Sequence, residues 1–405
     1  MKKAHKEHFE RFEAHTLLKH GILRRYLQTW ARKLLLPTTR AFDKIWFVDA
    51  FAGAGADEQG NPGSPLIAVR IAQEVERDLK SRGMIGRVRV LAIEKEKVFF
   101  DKLEERLKPY SEGVDPTALL RNGTLAERID GFTRHVGDDP VLYFLDPFGV
   151  DGLRKDLLAK ALAGPRNEVF VLFSDLGAAR LMAALTKERR DENVELASIL
   201  SQPGLFADLD EALIEARSAE IAQSNERLAQ TQSAADRIMT DAVGPEGIER
   251  LRGLPWDLLQ DEAVKAWTNA LIEAGAKKVI AMPIRNADGQ RLHQLVYASK
   301  HSKGFVAMKE AMDTSVGLSL LPESVREAMN LDVAVDEVTL LRVVTERFGG
   351  IEHRWTGPAG IKEFLDVETA AFPSQIQRLR ATMKERGWQV RGKPIVMRIP
   401  SQLDE

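Results

Sequence analysis

The run Trp46-Phe47-Val48-Asp49-Ala50-Phe51-Ala52-Gly53-Ala54-Gly55 constrains the fold of this chain more than any other stretch. A short apolar strand ends in an acid and passes at once into two glycines spaced one apart. Glycine takes backbone angles closed to residues with a Cβ, so Gly53 and Gly55 can make a tight turn in which a flat ligand touches bare backbone. Asp49 then faces that ligand as an acceptor. A dinucleotide fingerprint requires a third glycine three residues after Gly55, and Glu58 stands there instead.

The pattern leans to the D-x-F-x-G-x-G form of an S-adenosylmethionine (SAM) site, with Asp49, Phe51, Gly53 and Gly55 as cofactor contacts. Gly-rich strand ends also occur in other α/β folds, so the rest of the chain has to decide. Strands are expected at Lys44 to Asp49, Arg87 to Glu94, Ala118 to Asn122, Val141 to Asp146 and Glu168 to Phe173. Helical segments alternate with them, including Pro65 to Lys80, with Ser64 as its N-cap, and Lys97 to Leu107. Such alternation predicts a parallel sheet covered on both faces. Lys277 to Ile284, the turn Asn286-Ala287-Asp288-Gly289 and Leu292 to Ser299 read as a hairpin. The expected class is therefore α/β, a Rossmann-like SAM methyltransferase sheet with an antiparallel last strand, by fold analogy.

The acids at the ends of these strands carry the expected chemistry. Glu94, ending the second strand, is placed to accept from both hydroxyls of a ribose, although it could equally start a helix. Asn122, ending the third, can bond an adenine edge, while Asn-Gly is also an ordinary turn. Val141-Leu142-Tyr143-Phe144-Leu145 leads into Asp146-Pro147-Phe148-Gly149, which forms the candidate catalytic cluster. Asp146 would accept from the N–H of a methyl acceptor, and Phe148 would offer a face to a base. Methyl transfer by displacement needs alignment more than covalent help. The alternative is a plain Asp-Pro-Phe-Gly turn with its aromatic ring in the core.

Charge is unevenly spread along the 405 residues, although the net value is only -2. Residues 1 to 44 hold eleven Lys or Arg against four acids, residues 187 to 262 reverse this with seventeen acids against eight basic residues, and Ser374 to Pro400 hold seven basic residues against Glu385. Basic ends imply an anionic partner. Lys19, Arg24 and Arg25 are the candidates on an amphipathic helix expected over residues 7 to about 36 and stopped by Pro37. The chain has no cysteine, which excludes disulfides, thiolate metal sites and iron-sulfur ligation. The histidines lack metal-site spacing, so no bound metal is expected. With no run near ~18 apolar residues, no membrane partner is expected and a cytoplasmic location is assigned.

Five segments follow: a basic helical segment (1–41), the first part of a SAM-binding core (42–177), an acidic helical insertion (178–274), the closing hairpin of the core (275–320) and a tail (321–405). In the tail, helices at Val335 to Phe348, Gly360 to Leu365 and Ser374 to Arg386 precede a hairpin of Trp388 to Val390, a Gly392 turn and Ile395 to Ile399. That is the outline of a winged helix. Arg378, Arg380, Lys384 and Arg386 on the third helix, with Arg391 and Lys393 in the wing, are its candidate nucleic-acid contacts. Winged helices also dock proteins, and a basic helix can simply be a solvated face.

Five motifs in order, KHGILRRYLQTW (Lys19 to Trp30), VDAFAGAG (Val48 to Gly55), GSPLIA (Gly63 to Ala68), LDPFG (Leu145 to Gly149) and LVYASKHSKG (Leu295 to Gly304), resemble the three-Cys-motif partner (TcmP) family. The resemblance implies a Rossmann-like methyltransferase domain working beside a separate three-cysteine, radical-SAM-like protein, and a winged helix at the end of the chain. Asp-Pro-Phe-Gly is also similar to the motif of tRNA guanine N2-methyltransferases. The expected activity is methylation of a base nitrogen in DNA or RNA. The alternative is a degenerate methyltransferase that binds nucleic acid and presents it to its partner enzyme.

Overall fold

A computed structural model describes residues 2–36, 42–113, 115–187, 211–285, 291–317 and 337–402. The expected turn at Asn286 to Gly289, the helix stop at Pro37 and part of the acidic insertion lie outside the described residues. Contacts divide the chain into two units, one of residues 1–146, 157–173 and 271–405, the other of 147–156 and 174–270.

The first unit is built on strands β1 (Lys44–Asp49), β2 (Arg87–Glu94), β3 (Ala118–Asn122), β4 (Val141–Leu145), β5 (Glu168–Phe173), β6 (Lys278–Arg285) and β7 (Arg291–Ser299). Their order in the sheet is β3-β2-β1-β4-β5-β7-β6. β1 to β5 are parallel, and β7 runs antiparallel to both β5 and β6. This is the Rossmann-like sheet with an antiparallel end that the sequence predicts. β1 and β4 read as nearly continuous apolar runs because both of their faces are covered, and every residue from Ile45 to Asp49 and from Val141 to Leu145 is buried.

Helices α1 (Lys2–Leu35), α2 (Ser64–Ser81), α3 (Lys97–Ser111) and α4 (Leu125–Val136) flank this half of the sheet. Ile22, Leu23, Tyr26, Leu27 and Trp30 of α1 enter the same core as Ile67, Ile71 and Val75 of α2. Two local expectations change. The N-cap of α2 is Gly63, which makes no side-chain cap, and Ser64 is the first helical residue, with its side chain buried. β4 ends at Leu145, because Pro147 has no N–H to continue a ladder and leaves Asp146 just beyond the strand.

The last part of the first unit holds α10 (Ser302–Gly317), α11 (Glu337–Phe348), β8 (Glu352–Arg354), α12 (Ile361–Glu368), α13 (Pro373–Glu385), β9 (Gln389–Gly392) and β10 (Ile395–Arg398). Its three strands pair as β8-β10-β9 around a core of Leu340, Val344, Trp355, Leu379 and Met397. β8 has three residues, too few to show an alternating pattern, and the sequence reading lacks it. Gly392 ends a strand rather than making the turn alone. The buried Lys309 of α10 donates to the carbonyls of Leu365, Asp366 and Thr369 at 3.3, 2.9 and 3.2 Å, placing a cation at the C-terminal end of α12.

The second unit contains α5 in part (Lys155–Ala161), α6 (Asp175–Leu185), α7 (Glu211–Val243), α8 (Pro245–Leu251) and most of α9 (Trp256–Glu273). Ser174 caps α6 through the Gly177 N–H, and the Gln232 side chain donates to carbonyls at its other end, including Lys187 O at 2.8 Å. Trp267, Met239 and Ile248 are buried.

Candidate functional site

Adjacent positions of β2, β1 and β4 in the sheet bring Glu94, Asp49 and Asp146 to one edge, at the carboxyl ends of three neighbouring strands. Between β1 and α2 the chain makes the glycine loop. Gly53 and Gly55 have φ of +58° and +79°, in the left-handed region that side chains with a Cβ avoid. A Cβ on Gly53 would meet nothing within 4 Å, so space lies open over that backbone. The loop is held from below. Arg106 of α3 donates to Ala54 O and Ala56 O at 2.6 and 2.8 Å, and the Gly63 N–H bonds Gly55 O at 2.9 Å.

Glu94 is buried and orients the same loop, accepting from the Gly53 N–H at 2.9 Å and the Glu96 N–H at 2.8 Å. Each carboxylate oxygen has a second lone pair, so acceptor capacity remains for a hydroxyl. Asn122 turns its amide nitrogen inward, to Glu94 O at 2.8 Å and Lys95 O at 3.1 Å, which leaves its side-chain oxygen as the free acceptor. Phe51 is half-buried and gives its N–H to Asp49 Oδ1 at 3.3 Å.

Asp49 is the most unusual group of the edge. It is wholly buried, and its Oδ2 has no hydrogen-bond partner among the described residues. Burial lifts its carboxyl from 3.8 to about 7, and the negative charge of Asp146 adds to the rise. The Ser64 hydroxyl, the Phe51 N–H and the Lys19 ammonium pull the other way.

Asp146 pairs with the Lys19 ammonium of α1, whose side chain is only 12% exposed. The structure thus places Lys19 against the strand-end acid, not on an open basic face. Its neighbour His20 is pushed down to about 4, by burial first and then by the Lys19 charge, which keeps the imidazole neutral near pH 7. Arg24 and Arg25 are half-buried, with Arg25 Nε enclosed and without a hydrogen-bond partner among the described residues. Pro147, Phe148 and Gly149 belong to the second unit, where Phe148 is fully solvent-exposed, so its ring does not fill a core. Of the tail cations, Arg378, Lys384, Arg386, Arg391 and Lys393 are exposed and Arg380 is half-buried.

A second polar cluster, which the strand-end reasoning missed, lies at the amino end of β5. Glu168 is buried, accepts from the Tyr26 hydroxyl, and is also bonded by Tyr297 and Ser299. The two tyrosine hydroxyls are 2.7 Å apart. Burial lifts Glu168 from 4.5 to about 7. A Cβ on Gly304 would run into the Glu168 carboxylate and the Tyr297 hydroxyl, which explains a glycine there. Tyr26, Glu168 and Gly304 lie along a cavity of about 1190 Å³ that also reaches Trp30 and Lys362. The available signal was the presence of Tyr26 and Tyr297 in the first and last of the five motifs.

Among the described residues, no group of three His, Asp or Glu is arranged to hold a metal ion, and no helix is long and apolar enough to cross a membrane. No family model matches the chain, and no curated protein is found similar to it. Among solved structures the chain is similar to the DszA carbon methyltransferase, at 11% identity over 66% of this chain and 50% of that one, with a TM-score of 0.30. It therefore spans half the length of that relative. It is also similar to PKMT2 from Rickettsia typhi, at 7% identity over 90% of this chain and 73% of that one, with a TM-score of 0.31. The cyclopropane synthase MmaA2 from Mycobacterium tuberculosis gives 11% identity over 67% and 82%, with a TM-score of 0.22.

Proposed function

We propose that the chain is a SAM-dependent methyltransferase acting on a base nitrogen of nucleic acid, working beside a three-Cys-motif partner. The observation that carries the reading is the meeting of Asp49, Glu94 and Asp146 at one sheet edge over a glycine loop with open backbone. The residues present fit the cofactor. Among the described residues Asp49 Oδ2 is a buried acceptor without a donor, and the space over Gly53 admits a ligand against the main chain. Glu94 would hold ribose hydroxyls, Asn122 Oδ1 an adenine edge, and the Gly53–Gly55 backbone the amino-acid portion. When bound, SAM supplies an electrophilic methyl group.

The chain's own contribution to transfer is orientation. Asp146 already accepts an N–H from the Lys19 ammonium, the same kind of donor that an exocyclic base amine presents. Exchange of that donor for the acceptor's N–H leaves the nitrogen lone pair free to point toward the methyl donor. The exposed cations of the tail, read as a winged helix, would hold the backbone of the substrate.

Incubating the purified chain with methyl-labelled SAM and its copurifying nucleic acid, or total DNA and RNA, tests this. Label is expected in nucleic acid, and Asp146→Ala is expected to lower it about 100-fold or more while leaving SAM affinity nearly unchanged. Equal loss of both would move Asp146 to the cofactor site, and no label in either nucleic acid would overturn the reading. The Lys19–Asp146 ion pair also favours a second reading, a catalytically silent adaptor in which this acid is permanently engaged. Methyl transfer by the wild-type chain eliminates it.

A further inference from the structure

Alternation along β1, β2 and β3 sorts their side chains onto two faces. Ile45, Phe47, Val88, Val90 and Ala92 point into the main core. The intervening Lys44, Trp46, Arg87, Arg89 and Arg121 line a groove of about 780 Å³ on the other face, completed by Arg128 and His135 of α4 and by two acids, Asp115 and Glu127, the second of which accepts the Thr124 N–H. A parallel sheet normally buries both faces with apolar residues, so cations on this flank are a departure that requires a cause. Composition is not the cause, because the whole chain carries a net charge of -2.

Two of the arginines are neutralised within the fold. Arg87 meets Asp115 at 3.0 Å and Glu76 at 3.6 Å, and the largely buried Arg89 pairs with the same two acids. The other three cations are different. Among the described residues Lys44, Arg121 and Arg128 form no ion pair. Arg121 donates to Leu120 O at 2.7 Å, Arg128 donates to Asn122 O at 2.7 Å, and the Lys44 ammonium stands 5.8 Å from the Trp46 ring centre. Each keeps donors free. The exposed His135 ring packs edge-on against Trp46, with centroids 5.6 Å apart, and adds an aromatic surface between the cations. Through Arg128 and Asn122 the groove begins at the sheet edge that carries Glu94 and runs back along β3, a length of about 16 Å for five residues.

We propose that this groove binds the phosphodiester backbone of the nucleic-acid acceptor, with Lys44, Arg121 and Arg128 contacting phosphates and His135 offering a stacking face. The inference rests on the proposed substrate class. Unpaired guanidinium groups beside an aromatic ring are the donor set that recognises phosphate and base together.

The test is fluorescence anisotropy of a labelled single-stranded oligonucleotide over a potassium chloride series, with wild type, an Arg121→Gln/Arg128→Gln variant, a Lys44→Gln variant and a tail Arg378→Gln/Arg380→Gln variant. Arg121 and Arg128 are exposed, and an unchanged thermal midpoint would show that their replacement leaves the fold intact. The groove double variant is expected to bind about 10-fold more weakly, with the slope of log K against log salt shallower by about 1.4, for two lost phosphate contacts. Lys44→Gln is expected to reduce the slope by about 0.7. Unchanged affinity and slope in both groove variants, with binding lost in the tail variant, would overturn the groove and leave the substrate class standing. Absence of binding by the wild-type chain would overturn both.

Discussion

Asp49 and Glu168 are both fully buried carboxyls lifted to about 7 by burial, yet one stands at the carboxyl end of β1 and the other at the amino end of β5. Their partners differ more than their burial does. Glu168 is enclosed by the hydroxyls of Tyr26, Tyr297 and Ser299, so its acceptors are used by the fold. Asp49 has the Phe51 N–H and the Ser64 hydroxyl beside it, but among the described residues its Oδ2 has no donor, and it faces a second acid, Asp146. A buried acceptor left unsatisfied needs an explanation, and a ligand that brings the donor is one. Burial alone therefore does not mark a functional carboxylate, whereas burial with a missing partner does.

The largest effect that could break this comparison is on stability. Glu168→Ala leaves two tyrosine hydroxyls buried without their acceptor and is expected to lower stability by about 3 kcal/mol in urea unfolding. Asp49→Ala removes a poorly satisfied charge and is expected to lower it by less than about 1 kcal/mol. Equal losses would show that the two sites are alike.

Amide replacements sharpen the contrast by sign. At pH 8, Asp49→Asn removes an unfavourable charge beside Asp146 and is expected to stabilise the chain by about 1 kcal/mol. Glu168→Gln replaces a carboxylate oxygen by an amide N–H₂ among hydroxyls that donate to it in the wild type, forces them to reorient, and is expected to destabilise by a similar amount, about 1 kcal/mol. Thermal midpoints of the two variants should move in opposite directions.

The same two carboxyls also set a dependence on pH. Each carboxyl binds its proton more tightly in the folded chain, at about 7, than at its ordinary value of 3.8 or 4.5. Between those values the native state holds more protons than the unfolded one, so this contribution falls as pH rises and is fully lost above about 7. The thermal midpoint should drop from pH 6 to pH 8, and Asp49→Asn should flatten part of that drop. A wild-type midpoint that rises over the same range would contradict the assignment of raised values to both groups.

The carboxyl edge was legible because three of the five parallel strands, β1, β2 and β4, are apolar runs that lead into an acid, which put Asp49, Glu94 and Asp146 at strand ends, whereas β3 ends in Asn122 and β5 in Phe173. The Lys19–Asp146 pair was not, since it joins residues 127 apart in the chain through the packing of a helix. Ser64 was read as a cap because serine before proline usually is one, whereas its burial at the sheet edge puts its hydroxyl near Asp49. Glu168 is only the first residue of a strand in the sequence, because nothing local reveals that Tyr26 and Tyr297 converge on it. The basic flank was partly visible in the alternation Arg87-Val88-Arg89-Val90 of β2, a strand that is nonetheless buried from Val88 to Glu94. An expectation of two covered faces obscured it.

Calorimetric titration of the purified chain with SAM tests the central claim most directly, because it asks whether the unpartnered Asp49 edge is a cofactor site. Saturable heat is expected with one site per chain, about 10-fold weaker binding in Asp49→Asn and unchanged affinity in Glu168→Gln. No heat from the wild-type chain, or equal weakening by both substitutions, would contradict it.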